Sequence, residues 1–255
     1  MPHIRQLACF ITFTMFACFS QAADRPMAAI ASNMSYAMSD IATAFQKETD
    51  TKVRLTFGSS GNFARQIVQG APFKLFLSAD KKYVDFLRDN GMNLLADVDY
   101  ARGRIGLYIP KTSNLYRSTD LKSAIKMIIH GNYNRLAIAN PEHAPYGLAA
   151  QQALRSAGIW VTETKRLLLT ENAAQTMQVA LSGNVDVAVI SASFMHLTDI
   201  NSKGKFFLIP ESWHKPLLQH LVLLKGASVS ERELFEYMQN KESQLIVQKY
   251  GYDIK

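Results

Sequence analysis

The residues best placed to do chemistry form a short turn, Phe57-Gly58-Ser59-Ser60-Gly61-Asn62, which ends an alternating run (Val53, Leu55, Phe57) and opens a helical one. Glycines let backbone approach a ligand closely, and a serine hydroxyl is a neutral hydrogen-bond donor. A nucleophile elbow needs Gly-x-Ser-x-Gly, and position 62 carries Asn62 where the second glycine belongs, so serine-hydrolase chemistry fits poorly. Similar junctions recur at Ser32-Asn33, at Pro145-Tyr146-Gly147 and at Asn172-Ala173. A helix start carries unpaired N–H groups and about half a positive charge, so four of them around one point would hold an anion. Each junction also has a plainer reading. Ser32, Asn33, Ser35 and Asn172 are good helix caps, and the Tyr146 ring is good core.

Other chemistries lack their residues. The histidines beyond the leader, His130, His143, His196, His214 and His220, show no metal-ligand spacing. Neither Gly-x-Gly-x-x-Gly nor a Gly-Lys-Ser/Thr phosphate loop occurs, and nothing in the pattern brings Asp80 and Glu142 together as acid and base.

These junctions need strands and helices to position them. Strand-length apolar runs alternate with helix-period runs, the mark of βαβ units and a mainly parallel sheet. The first group reads as strands at 27–31, 53–57 and 75–77 with helices at 36–47, 63–68 and from Asp80 to Leu87. The second reads as strands at 105–109, 136–139, 167–169, 185–190 and 206–209, with helices at 119–129, 147–156 and 173–181, and a further strand is read at 217–224. Helical runs around 231–238 and 243–250 follow. The groups join near Gly103-Arg104 and again between Pro210 and Leu217, which permits hinge motion.

The first residues read as an export signal: Arg5, an apolar stretch from Leu7 to Phe19, then Ser20-Gln21-Ala22 at the cleavage position. Met15-Phe16-Ala17-Cys18 offers a competing lipoprotein cleavage box, with bulky Phe16 against it. Both cysteines, Cys9 and Cys18, fall inside this leader, so the processed chain holds no disulfide and depends on its core. The 28 basic residues less Arg5 leave 27 against 21 acidic, a net charge of +6. The bases are scattered, with no aromatic-interleaved stripe, so a nucleic-acid partner is not expected.

Four segments together are specific. Ala31-Ser32-Asn33, Gly58 to Gly61 followed by ARQIVQGAP (64–72), LFLSAD (75–80) and NPEHAPYGLA (140–149) resemble the periplasmic molybdate-binding proteins of ABC importers, over essentially the whole processed chain. The resemblance implies a two-lobed type II periplasmic binding fold of class α/β. Each lobe would be a mainly parallel sheet flanked by helices, with the ligand cleft between them. With the two crossings as boundaries, residues 1–22 are the signal peptide, 24–103 plus 212–255 the first lobe, and 104–211 the second.

The same resemblance implies capture of molybdate, and of tungstate beside it, by a periplasmic monomer that delivers the anion to a membrane permease without enzymatic activity or cofactor. A sulfate- or phosphate-type oxyanion receptor is the alternative. Ser32 and Ser60 correspond to hydroxyl and N–H donors, Asn33 to a further polar contact, Tyr146 to a backbone N–H with its hydroxyl in reserve, and Ala173 to a backbone donor. The anion would be held through its oxygens, without direct metal ligands. Some relatives supply a tyrosine hydroxyl where this chain has Ser191, a shorter side chain that shifts weight onto Tyr146.

Overall fold

The computed structural model describes residues 25–160, 166–197 and 200–254. The expected signal, Cys9 and Cys18 lie outside the described residues. The elements run β1 (Met27–Ala31), a 3-10 turn (Ser32–Met34), α1 (Ser35–Thr49), β2 (Arg54–Gly58), α2 (Ser60–Val68), β3 (Leu75–Ser78), α3 (Lys82–Asp89) and β4 (Leu94–Gly103). Then come β5 (Ile105–Pro110), α4 (Leu121–Ile129), β6 (Leu136–Ala139), α5 (Pro145–Ser156), β7 (Leu167–Thr170), α6 (Ala173–Leu181) and β8 (Val187–Ser191). The chain continues through α7 (Ile200–Lys203), β9 (Gly204–Leu208), β10 (Leu217–Leu224), α8 (Val229–Tyr237), α9 (Lys241–Lys249) and β11 (Asp253–Ile254).

Among the described residues the strands form two sheets, ordered β11-β4-β10-β3-β1-β2 and β7-β6-β8-β5-β9. In the first, β1 runs parallel to β2 and β3, while β10 is antiparallel to β3 and β4. In the second, β6 runs parallel to β7 and β8, while β5 is antiparallel to β8 and β9. Each lobe thus combines a parallel βαβ part with antiparallel strands that lead to and from the other lobe.

Burial explains the pattern. In β1, Ala28 and Ile30 pack on one side with Met38, Ile41 and Phe45 of α1, and Ala29 packs on the other with Phe63, Ala64 and Ile67 of α2. A strand covered on both faces has no polar side, which is why Met27-Ala28-Ala29-Ile30-Ala31 reads as a continuous apolar run. Phe45 meets Tyr237 edge to face at 5.2 Å between ring centroids, and full burial of such a ring stabilises the fold by about 2–3 kcal/mol. Gly91, with φ of +77°, ends α3 in the left-handed conformation that glycine adopts without strain.

Three local expectations change. Helix α2 starts at Ser60 rather than Phe63, and α5 at Pro145 rather than Gly147, so Ser60 and Tyr146 lie in first helical turns. Ser32, Asn33 and Ser35 do not act as side-chain caps, since Ala31 and Met34 hold the cap positions without side-chain bonds. Asp80 misses the cap of α3 by one residue; Lys81 holds it, and Asp80 Oδ1 accepts from the Tyr83 N–H at 3.4 Å.

The sheets approach each other most closely in sequence at Arg104, the single residue between β4 and β5. Its guanidinium Nε lies 3.2 Å from a Glu211 carboxylate oxygen in the return crossing, so an ion pair ties the two connections.

Candidate functional site

The strands β1, β2, β6 and β7 all end at the gap between the sheets, and each hands over to a helical turn there. Around the meeting point is a small cavity, and Ser32, Asn33, Ser60, Tyr146 and Ala173 all line it. Ala31, Gly58, Ser59, Ala79, Ala144, Pro145 and Asn172 complete the wall, and no charged side chain is part of it. All five expected residues are buried, Ser60 completely and Ala173 with 6% of its surface exposed.

The two hydroxyls are oriented by amides behind them. Ser60 Oγ accepts from the Ala79 N–H at 3.0 Å, and Ser32 Oγ accepts from the Ala174 N–H at 3.2 Å, reaching from the first lobe to the second. A hydroxyl has one proton and two lone pairs, so with a lone pair engaged on the wall its proton is left to donate inward. The helices add backbone donors. Pro145 has no N–H, which makes the Tyr146 amide the first of α5, and Ala173 supplies the first of α6, whose cap Asn172 accepts from Gln175 at 3.1 Å. First-turn amides have no acceptor inside their own helix.

Neutral donors and helix ends facing a small enclosed space have a definite electrostatic sense. Burying a dianion costs many kcal/mol in lost hydration, and each charge-assisted hydrogen bond returns about 1.5–3 kcal/mol. Neighbouring phenolic protons stay put: burial, then proximity to Tyr252, pushes the Tyr146 hydroxyl well above the usual tyrosine range, and burial likewise raises Tyr252. Burial also raises Asp80 and takes Tyr83 to about 12. The tyrosines therefore stay neutral at ordinary pH, adding no negative charge next to an anion.

At the rim, the lobes meet in a polar clasp. The Gly61 N–H donates to the His143 carbonyl at 2.9 Å, and the Tyr83 hydroxyl to the Glu142 carbonyl at 3.1 Å. Glu171 accepts from Asn62 Nδ2 and, at 3.4 Å, from Ser59 Oγ, with His143 Nε2 3.3 Å from its other oxygen.

Behind the cavity the side chains take directions the sequence did not announce. Asn33 Nδ2 points to Gln219 Oε1 (2.8 Å), Tyr252 Oη (2.9 Å) and Tyr146 Oη (3.3 Å), so the carboxamide is engaged away from the cavity's hydroxyls. Ser191 does not line the cavity; its Oγ pairs with Ser193 Oγ at 2.8 Å. Gln219, Tyr252 and Ser193 carry no local signal, since they reach Asn33 from 186, 219 and 160 positions away.

Comparison with known proteins is in keeping with this geometry. A family model for bacterial extracellular solute-binding proteins matches residues 27–253. The molybdate-binding protein ModA of Azotobacter vinelandii is 30% identical over 244 residues, 94% of each chain, and that of Rhodobacter capsulatus 30% identical over 253 residues, 98% of this chain and 96% of the other. The solved structure of the Azotobacter vinelandii periplasmic molybdate-binding protein superimposes with a TM-score of 0.82 at 25% identity, covering 91% of this chain and all of that one. The sulfate-binding protein SubI of Mycobacterium tuberculosis, at 12% identity and a TM-score of 0.68, shares the fold.

Proposed function

The chain belongs to the family of bacterial extracellular solute-binding proteins, and from that premise we propose that it captures molybdate, and tungstate alongside it, for delivery to the permease of an ABC importer. One observation carries the reading. Helix starts from both lobes and the hydroxyls of Ser32 and Ser60 enclose a single small cavity whose lining holds no charged side chain. Such a wall suits an anion that never needs protonating, because the two hydroxyls and the first-turn amides are neutral donors.

In this reading Ser32 and Ser60 donate from the first lobe and Tyr146 and Ala173 donate from the second, while Asn33 lines the cavity with its carboxamide engaged behind it. The lobes, 24–103 plus 212–255 and 104–211, move about the crossings at Arg104 and 210–217. Only the closed arrangement makes both sets of contacts, so the anion shifts the equilibrium toward it. The protein acts in the periplasm as a monomer, binding rather than transforming its ligand.

Thermal unfolding with molybdate, tungstate, sulfate and phosphate is the test. At a hundredfold excess over Kd, a ligand raises the melting temperature of a chain of this size by about 5–10 °C. Molybdate and tungstate should do so while sulfate and phosphate do not; an equal response to all four overturns the reading.

A further inference from the structure

The side chains of Asn33 and Tyr146 meet behind the cavity, where the chain first crosses between lobes. Asn33 Nδ2 has two protons and three oxygen neighbours; Gln219 and Tyr252 belong to the first lobe, and Tyr146 alone belongs to the second. Gln219 is fixed by its own Nε2, which donates to the carbonyls of Leu217 at 2.9 Å and Ala79 at 3.3 Å, leaving Oε1 to face Asn33. The Asn33 carbonyl accepts from the Tyr252 hydroxyl and from Ser193 Oγ, each at 2.9 Å, and Ser193 is again a second-lobe residue.

Gly103, the last residue of β4, explains the fit. A Cβ there would lie 2.0 Å from the Tyr146 hydroxyl oxygen and 3.1 Å from Cζ, so the hydroxyl occupies the space a side chain would fill. Tyr146 consequently serves two places: its backbone amide opens α5 at the cavity, and its hydroxyl rests on the crossing strand within reach of Asn33 Nδ2. Separating the lobes breaks the bonds from Asn33 to Tyr146 and Ser193 and leaves those to Gln219 and Tyr252 intact.

We propose that the Asn33 carboxamide and the Tyr146 hydroxyl, seated on Gly103, form a closure latch. As a positioning pair they set the closed fraction, and hence the apparent affinity for every anion alike, while Ser32 and Ser60 set which anion fits. The proposal rests on the oxyanion-receptor reading of the cavity. An affinity measured against a partly closed population is reduced by the closed fraction whatever the ligand, and a ligand contact has no such uniformity.

The test uses Tyr146→Phe, which keeps the backbone amide and the ring. Calorimetric titration should show Kd for molybdate and for tungstate rising by the same factor, about fivefold, as expected for one neutral hydrogen bond. Gly103→Ala should weaken both by about tenfold or more, since its methyl group displaces the hydroxyl that closes the latch. The double variant Y146F/G103A should bind better than G103A alone, because the oxygen in conflict is gone; general damage to packing gives no such rescue. Unchanged affinity in Y146F, unequal losses for the two anions, or no rescue in the double variant overturns the latch. If the native chain binds neither anion, the receptor reading fails by itself, and small-angle scattering without anion decides the latch. G103A and Y146F more open than the native chain support it, and identical profiles overturn it.

Discussion

The Gly61 N–H and the His143 carbonyl oxygen are 2.9 Å apart across the cleft, so a first-turn amide of α2 bonds the opposite lobe directly. The approach leaves no room for a side chain. A Cβ on Gly61 would sit 2.7 Å from the Tyr83 hydroxyl and 2.8 Å from that same oxygen. Backbone cannot yield as a flexible side chain does, so Gly61→Ala is expected to weaken molybdate binding about tenfold or more, with the ligand-free melting temperature little changed. Isothermal titration beside a thermal scan checks both parts.

Ser60→Ala should cost more than a surface change of the same size. Its Oγ is fully buried, accepts from Ala79 at 3.0 Å and keeps its proton for the cavity. Losing a charge-assisted bond worth about 1.5–3 kcal/mol predicts Kd higher by about ten- to a hundredfold. Ser32→Ala removes the corresponding donor and also the acceptor of the Ala174 N–H, so its loss should be at least as large. Competition between molybdate and sulfate should show the ratio of affinities moving in both variants.

Glu171 separates charge from hydrogen bonding. It accepts from Asn62 and Ser59 at the rim of the cavity, where its negative charge would oppose entry of the proposed anion. Glu171→Gln keeps a carbonyl acceptor and removes the charge, so anion association should speed up about two- to threefold at low salt, with the gain fading as salt rises. Glu171→Ala loses the clasp as well and should release the anion faster. Stopped-flow mixing at two ionic strengths resolves these rates.

Stability should decline in mild acid because of His214 in the return crossing. Burial, the larger cause, pushes its imidazole below the ordinary value of 6.5, and its Nδ1 faces the Lys215 carbonyl at 2.8 Å. The unfolded chain then takes up the proton first. The contribution is full above pH of about 6.5 and is lost as pH falls toward the depressed folded value. The melting temperature should drop from pH 7 to 5, less steeply in His214→Gln. Asp80, raised by burial, acts in the opposite direction, and comparing the two proteins at each pH isolates the histidine.

The βαβ parts are legible because short apolar runs, alternating only over 53–57, give way to helical spacing after Ala31, Phe57, Ala139 and Thr170. Helix starts were less so. Ser60-Gly61-Asn62 and Pro145-Tyr146 carry no apolar periodicity, yet these are the turns that face the cavity. Strand β4 is hidden in the sequence because Asp97 and Asp99 look like loop residues. Asp97 is satisfied from outside the strand, by Arg88 Nη2 at 2.8 Å and His220 Nδ1 at 2.9 Å, which only tertiary structure supplies. The antiparallel strands β5, β9 and β10 are legible as strands, but alternation with helices says nothing of their direction. The five cavity residues were reachable through helix starts and family resemblance. Where the Asn33 amide points was not, because its partners lie far off in the chain.

The first sheet is sewn from two stretches of chain, with β10 and β11 completing what β1 to β4 begin. A polypeptide that emerges in order therefore finishes its middle before its beginning: residues 105–208 can settle around their own sheet while β4 waits without a neighbour on either side. Tyr252 and Gln219 arrive with those late strands, so the pivot matures last of all. Truncation or interrupted synthesis after residue 216 should yield a half-formed molecule with a sound centre and no grip.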